Sequence, residues 1–88
     1  MPAQMSVPAD IAATLARIAS GRRLPYRNDG AVFMNRELLL PLHQAGYYHE
    51  YVHLTALVAG PGARRIVIGQ GGEVYYTPDH YRSFIRIK

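Results

Sequence analysis

The chain has 88 residues, a formal net charge of +4 and a hydrophobic fraction of 49%. This length fits one domain, residues 1–88, with residues 1–7 expected to be flexible. The lack of cysteine excludes disulfides and thiolate metal sites, and no apolar run approaches the roughly 20 residues that span a bilayer. The basic balance suits a polyanionic partner, but it is equally compatible with an ordinary soluble domain.

The first predicted element is a helix within residues 8–21, PADIAATLARIASG. Ile11, Leu15 and Ile18 recur at the spacing of one helical face, and alanines fill much of the remainder. Gly21 is suited to end the helix. A single apolar stripe of this kind has to pack against another element.

A turn-rich connection ending at Gly30 separates this helix from a run of extended segments. The segments are rich in β-branched and aromatic residues and are divided by glycine, proline and polar clusters. In chain order they are AVFMNRELLLP (31–41), YYHEYVHLTALV (47–58), ARRIVIG (63–69), EVYYT (73–77) and SFIRIK (83–88). One helix followed by short strands predicts an α+β fold, with the N-terminal helix packed on an antiparallel β-sheet. The opposite face of the sheet is then available for function.

The second segment contains His49, Glu50 and His53 in the H-E-x-x-H spacing of zinc hydrolases. That pattern binds zinc on a helix, where residues i and i+4 lie on one face. The composition here is that of a strand, on which the two histidines lie roughly 13 Å apart at about 3.3 Å per residue. Zinc–nitrogen bonds of roughly 2.1 Å cannot bridge that gap. We therefore predict no metal site in this segment.

Glu50 on such a strand has two interpretations: a solvated or ion-paired charge, or a general base held rigidly by the sheet. Arg64 and Arg65 are adjacent and point to opposite faces; because Arg64 shares the parity of the apolar Ile66, we expect Arg65 on the face of Glu50. His80 lies in a connecting loop of the kind that carries functional side chains. A carboxylate, an arginine and a histidine on one face suit attack of a ribose 2′-hydroxyl on the adjacent phosphate.

Four segments resemble one known family in the right order: LPYRNDGAVFMNRELLLP, GYYHEY, ARRIVIG and YYTPDHYRSF. The chain resembles the guanyl-specific bacterial ribonucleases, and most closely the ribonuclease Sa-like branch of the barnase superfamily. The resemblance runs from about residue 8 to residue 87 with few gaps. It implies the microbial ribonuclease fold. It also implies a metal-independent, cofactor-free endoribonuclease that cleaves single-stranded RNA after guanine to a 2′,3′-cyclic phosphate and then to a 3′-phosphate.

The resemblance also implies the catalytic roles. Glu50 would take the proton of the 2′-hydroxyl, His80 would protonate the leaving 5′-oxygen, and Arg65 would stabilise the charge on the phosphoryl oxygens. Arg36 is implied as a second phosphate contact. Since the base and the acid need opposite protonation states, the rate should have a bell-shaped pH dependence.

The guanine site implied by the resemblance centres on Glu37, whose carboxylate would accept the N1–H and N2–H of the base. A carboxylate matches these paired donors and repels the acceptor edges of other bases. Backbone amides would bind the O6 and N7 side, and a tyrosine would cover the base. The remaining members of this predicted site are Phe33, Met34, Asn35, Arg36 and Tyr81.

One departure from the family lies in the short connection AGPGA (59–63), which lacks a further arginine that relatives often carry near position 61. The alternative is therefore a catalytically impaired RNA-binding or inhibitor-binding toxin-like module on the same fold. The resemblance implies secretion, or delivery as a toxin domain, although the first residues lack the layout of a signal peptide. We expect a monomer that binds single-stranded RNA and no membrane, with an acidic barstar-like protein as its inhibitor.

Overall fold

The computed structural model describes residues 8–55 and 59–88. Residues 1–7, which we expected to be flexible, and residues 56–58, the end of the second predicted strand, lie outside the described ranges. The described part folds into one helix and five strands: α1 (Ile11–Ala19), β1 (Val32–Phe33), β2 (Tyr48–Val52), β3 (Arg65–Gly69), β4 (Val74–Thr77) and β5 (Ile85–Arg86). The strands pair antiparallel in chain order. The α+β prediction is confirmed.

The helix α1 is shorter than the predicted range of residues 8–21. At its start the amide of Ile11 donates to the carbonyl of Pro8 at 3.2 Å, so Pro8 belongs to the preceding turn. At its end the amide of Gly21 donates to the carbonyl of Ile18 at 3.1 Å. Gly21 has a φ of 83° and ends the helix as predicted, because a residue without Cβ adopts this left-handed conformation at little cost.

Both faces of the sheet carry buried apolar side chains. On one face the stripe of α1 packs against a cluster from β3 and β4: Ile11, Leu15 and Ile18 lie against Ile66, Val74 and Tyr76. The other face has a second cluster, made by Leu40, Tyr48, Val67 and Tyr75, onto which Phe33, Tyr81 and Phe84 pack. Loop residues therefore cover part of the face that the sequence left open, and any site on that face lies at the edge of this second cluster.

Strand register decides which side chains share a face. Glu50 of β2 lies opposite Val67 of β3, a member of the second cluster. Arg65 lies two residues before Val67, so Arg65 and Glu50 project from the same face. Ile66 projects toward the helix. The parity argument that separated Arg65 from Arg64 is therefore confirmed.

None of the helices in residues 8–55 and 59–88 has the length and apolar character needed to cross a membrane.

Candidate active site

The H-E-x-x-H segment lies on β2, and so it lacks the helical geometry that zinc binding requires. His53 follows this strand and is only 1% exposed. Its Nδ1 is 2.7 Å from the hydroxyl of Thr14, and its Nε2 is 3.2 Å from the carboxylate of Asp10. His53 therefore serves as a packed, hydrogen-bonded side chain beneath α1. Across residues 8–55 and 59–88, no group of three or more potential ligand side chains is arranged to hold a metal ion.

The backbone of Glu50 is fixed by a local irregularity of the sheet. The amide of Gly30 donates to the carbonyl of Glu50 at 2.6 Å, and the amide of Glu50 donates to the carbonyl of Ala31 at 2.8 Å. Gly30 and Ala31 thus both lie opposite Glu50, as two residues lie opposite one in a β-bulge. Gly30 has a φ of 97°, a conformation that favours glycine. The bulge holds Glu50 at the edge of the second cluster with its half-buried side chain directed toward the Tyr81 loop.

The carboxylate of Glu50 accepts a short hydrogen bond from the hydroxyl of Tyr81. Burial, followed by this hydrogen bond, raises the pKa of Tyr81 well above its ordinary value. The ring of Tyr81 also stacks on Phe33, with centroids 5.1 Å apart and planes inclined by 30°. Tyr81 thus connects Glu50, the predicted general base, to Phe33 of the predicted guanine-binding segment. The sequence did not predict the bond between Tyr81 and Glu50.

The loop that carries His80 and Tyr81 is held in an unusual conformation. Both residues have positive φ, 58° and 75°. The amide of Tyr81 donates to the hydroxyl of Thr77 at 3.0 Å, and the carboxylate of Asp79 accepts from Thr77 at 2.9 Å. These local bonds hold a backbone that costs about 1–3 kcal/mol per strained residue, and residues of this kind cluster at active sites.

His80 is exposed, and its ring lies 4.8 Å from that of Tyr81. Its amide donates to the carbonyl of Ala63 at 2.9 Å, which ties the loop to the connection before β3. His80 therefore precedes, in the same loop, the tyrosine whose hydroxyl binds the Glu50 carboxylate.

Arg65 is buried, with 3% exposure. One terminal nitrogen of its guanidinium contacts the carbonyls of Pro61, Gly62 and Arg64, at 3.3 Å for Pro61 and 3.2 Å for Arg64. Its Nε is buried without a hydrogen-bond partner in the described part of the chain. The guanidinium also lies close enough to Tyr81 to oppose the rise in the pKa of that hydroxyl. The shortened connection therefore fixes a positive charge beside the Glu50–Tyr81 pair.

The predicted guanine-binding segment forms a turn braced by Asn35. The side chain of this buried residue accepts from the amide of Leu40 at 3.1 Å and donates to its carbonyl at 3.0 Å. The amide of Leu38 closes the turn on the carbonyl of Asn35 at 3.0 Å. Within the described residues the amides of positions 34–37 donate no hydrogen bond. Arg36 and Glu37 are exposed at the tip of the turn.

The predicted site residues thus fall into two groups. In the first group, Phe33 stacks on Tyr81 and Tyr81 is hydrogen-bonded to Glu50. The Arg65 guanidinium lies beside Tyr81. The remaining predicted residues project from the flanking loops and are exposed or serve the backbone: Met34, Asn35, Arg36, Glu37 and His80.

A family model described as ribonuclease matches residues 3–88 of the chain. The chain belongs to the ribonuclease family. The family predicted from the four sequence segments is therefore confirmed.

The chain is 51% identical over 83 residues to guanyl-specific ribonuclease Sa3 of Kitasatospora aureofaciens, covering 93% of this chain and 59% of that protein. It is 49% identical over 78 residues to guanyl-specific ribonuclease St of Saccharopolyspora erythraea, covering 89% of this chain and 77% of that protein. The chain thus spans less than two thirds of the length of the first of these relatives.

Solved structures of ribonuclease Sa2 share the fold. The structure of its complexes with mononucleotides matches with a TM-score of 0.85 at 45% identity, covering 93% of this chain and 85% of that chain. The crystal structure of Sa2 with guanosine-2′-cyclophosphate matches with a TM-score of 0.82 at the same 45% identity, covering 93% of this chain and 88% of that chain.

Proposed function

We propose that this ribonuclease is a guanine-preferring endoribonuclease that cleaves single-stranded RNA by metal-independent transphosphorylation. The observation that carries the proposal is the placement of the Glu50 carboxylate. It is half-buried on a strand fixed by a bulge, bonded to Tyr81, and on the face that carries the Arg65 guanidinium. A carboxylate on a rigid element beside a buried cation suits proton abstraction next to a phosphate.

In the first step Glu50 accepts the proton of the ribose 2′-hydroxyl while the 2′-oxygen attacks phosphorus. The bond from phosphorus to the 5′-oxygen breaks, and His80 donates a proton to that leaving oxygen. The product is a 2′,3′-cyclic phosphate, which water opens to a 3′-phosphate with the two roles exchanged. Arg65, together with Arg36 from the loop, stabilises the charge that develops on the phosphoryl oxygens. The relative Sa2 has a crystal structure with guanosine-2′-cyclophosphate, and that ligand supports a cyclic intermediate in the reaction proposed for this chain.

Guanine preference comes from the turn at residues 34–37. Its amides find no acceptor among residues 8–55 and 59–88, which leaves them available for the O6 and N7 edge of the base. The exposed carboxylate of Glu37 accepts the N1–H and N2–H of guanine, and the stacked Phe33–Tyr81 pair forms the apolar wall beside the base. Single-stranded RNA is the substrate because an unstacked base exposes this edge.

The test is cleavage of the dinucleoside monophosphates GpU and ApU in the presence of EDTA. GpU should give guanosine 2′,3′-cyclic phosphate, and Glu50→Gln or His80→Ala should lower kcat by about 10²–10⁴-fold. Glu37→Gln should reduce cleavage of GpU more than that of ApU.

A matched control is Glu73→Gln. The carboxylate of Glu73 also accepts a hydrogen bond from a tyrosine, Tyr47 at 2.7 Å, but it lies outside the proposed site. Its replacement should leave cleavage unchanged. Wild-type kcat in each of the single variants Glu50→Gln and His80→Ala, or activity abolished by EDTA, would contradict the proposal. RNA binding without cleavage would favour the impaired binding module.

We also propose an acidic, barstar-like protein inhibitor. Among the described residues, five of the six exposed large hydrophobic side chains lie in or beside the guanine-binding turn: Val32, Met34, Leu38, Leu39 and Leu42. An apolar rim on a chain of net charge +4 suits an acidic protein that covers the site. Barstar added in equimolar amount should inhibit cleavage, and Leu42→Ser should weaken that inhibition. Unchanged activity with excess barstar would contradict it.

We further propose that the enzyme is secreted or delivered as a toxin domain, as the resemblance implies. To test this, guanine-specific activity is measured in the producing cells, in the medium and in target cells. Activity confined to the producing cells would count against this extension and would leave the reaction itself untouched.

A further inference from the structure

Arg17 of α1 and Asp29, which precedes the bulge, form a bidentate ion pair. The two terminal nitrogens of Arg17 lie 2.9 and 3.1 Å from the two carboxylate oxygens of Asp29. Asp29 is 5% exposed, and its carboxylate also accepts the amide of Leu24 at 2.8 Å. This pair lies outside the machinery proposed above, since neither residue contacts Arg65, Tyr81 or the side chain of Glu50 through a hydrogen bond.

The pair binds both backbone groups of Val52. The amide of Val52 donates to Oδ1 of Asp29 at 2.9 Å, and its carbonyl accepts from Arg17 at 2.9 Å. Val52 is fully buried, with 0% exposure, so water cannot satisfy these groups. Two side chains therefore take the place of a neighbouring strand at this end of β2.

The outer edge of β2 is held in three successive ways. The strand β1 pairs with Tyr48 and His49, the bulge pairs with Glu50, and the Arg17–Asp29 pair binds Val52. Backbone pairing with the loop thus ends at the proposed general base, and charged side chains anchor the residues that follow it.

The anchored residue is the one that lies opposite Arg65. Val52 and Arg65 are register partners in the β2–β3 ladder, and Val52 lies two positions after Glu50. The place where Arg17 and Asp29 hold β2 is therefore the place where the strand of the proposed base meets the strand of the proposed phosphate ligand. A displacement of Val52 would change the separation of those two charges.

We propose that Arg17 and Asp29 are positioning residues for RNA cleavage: through Val52 they fix the segment of β2 that carries Glu50 relative to Arg65. This inference rests on the proposed function. Misplacement of a reacting group by about 1 Å can cost roughly 10²-fold in rate, so an anchor of this kind affects the reaction without touching the substrate.

The charge state of the pair suits this role. Burial alone would raise the pKa of Asp29, but the hydrogen bonds from Arg17, Leu24 and Val52 outweigh it and hold the pKa below its ordinary value. Asp29 therefore carries its negative charge at neutral pH, where it pairs with Arg17. The planar guanidinium of Arg17 reaches Asp29 and Val52 at once, which the point charge of a lysine cannot do.

The experiment compares Arg17→Lys and Arg17→Leu with the wild type on GpU, at a temperature where circular dichroism shows each variant to be folded. We expect kcat to fall about 10- to 10²-fold. KM should change little, because the contacts with guanine remain intact while Glu50 and Arg65 lose their alignment with the reacting phosphate. Arg27→Leu is the control: it removes an exposed cation whose side chain makes no hydrogen bond in the described part of the chain, and it should keep the wild-type kcat.

A purely stabilising pair predicts a different result. The melting temperature of the Arg17 variants would fall while kcat of the folded molecules stayed at the wild-type value, and that result overturns the inference. If Arg17→Leu does not fold, Arg17→Lys decides the question by the same comparison.

Amide hydrogen exchange provides a readout that does not require activity. The amides of Glu50 and Val52 should lose protection in the Arg17 variants, while that of Val67 in the centre of the sheet should keep it. Equal protection in the variants and the wild type would overturn the inference. A wild type that fails to cleave GpU would refute the proposed function alone, since the exchange result still tests the anchor.

Discussion

Glu50 and His53 lie three positions apart on the same segment and have different surroundings. Glu50 is half-buried and hydrogen-bonded to Tyr81 at the edge of the second cluster. His53 is 1% exposed and enclosed beneath α1 with Thr14 and Asp10 as partners. Alternation along a strand sends the two side chains to opposite faces of the sheet, which is why a pattern typical of metal binding here divides into one functional and one packed residue.

The buried imidazole of His53 predicts a stability change in mild acid. Burial lowers the pKa of His53 below 6.5, against the opposing effect of the Asp10 carboxylate. The unfolded chain binds the proton near pH 6.5 and the folded chain binds it at lower pH, so stability is complete above 6.5 and decreases as the pH falls below it. Urea unfolding at a series of pH values should show this decrease, and His53→Gln should remove it.

The control for this titration is His43→Gln, since His43 is exposed. This variant should retain the wild-type pH dependence of the free energy of unfolding between neutral pH and about pH 5. An identical slope in wild type and His53→Gln would show that another group causes the change.

Several residue placements followed from the sequence, and others did not. The parity of Arg65 against Ile66 predicted its face because alternation is a local property of any strand. The bond between Tyr81 and Glu50 joins residues 31 positions apart, and it depends on positive φ at both His80 and Tyr81. Non-glycine residues rarely adopt that conformation, so no pattern in the sequence indicates it.

Among the elements, the bulge opposite Glu50 connects the loop before β1 to the proposed site. Gly30 occupies the left-handed region at a φ of 97°, and a Cβ at this position would overlap the guanidinium of Arg23. That guanidinium donates to the carbonyl of Asp29 at 3.2 Å and lies 5.9 Å from the ring centroid of Tyr51. Arg23, although exposed, therefore packs over the bulge.

Gly30→Ala should therefore destabilise the protein more than Gly46→Ala. Gly46 has a similar φ of 90°, but a Cβ there meets nothing within 4 Å. Both variants carry the left-handed strain of roughly 1–2 kcal/mol. Gly30→Ala should lose about 1 kcal/mol more in free energy of unfolding, because Arg23 must give up its hydrogen bond and its contact with Tyr51. Equal losses in chemical denaturation would contradict this account of the bulge.

The element predictions were accurate in type and less so in extent. The 3.6-residue spacing of Ile11, Leu15 and Ile18 identified α1 because it needs no tertiary information. The first predicted strand extended to residue 41, whereas β1 ends at Phe33. It ends there because Asn35 takes a φ of 55° and braces a turn through Leu40, a bond that the extended pattern of the sequence conceals.

Charge acts at the scale of the whole molecule. The net charge of +4 should attract RNA, because cations that neutralise phosphates release counterions from the strand. If the protein neutralises two phosphates of long single-stranded RNA, the one at the cleaved linkage and one beside it, kcat/KM should fall about tenfold between roughly 50 and 200 mM salt. The dinucleotide GpU, with one phosphate, should lose much less. A salt response equal for both substrates would show that contacts outside the cleaved linkage contribute nothing.

The overall architecture and the family were predictable from the sequence, whereas the anchor of the proposed site was not. Four ordered segments identified the family, and one helix followed by short strands predicted the sheet. In the sequence, Asp29 belongs to an Asn-Asp-Gly turn pattern, and Arg17 is a charged residue within the predicted helix. Their ion pair, and its hold on Val52, emerge only when α1 is packed on the sheet.

The pH dependence of kcat/KM for GpU decides whether Glu50 is the general base and His80 the general acid. The wild type should give a bell, rising as the base loses its proton and falling as the acid loses its own. Glu50→Gln should abolish the rising limb and His80→Ala the falling limb, each with a lower maximum. A bell that keeps both limbs in either variant would contradict the assignment.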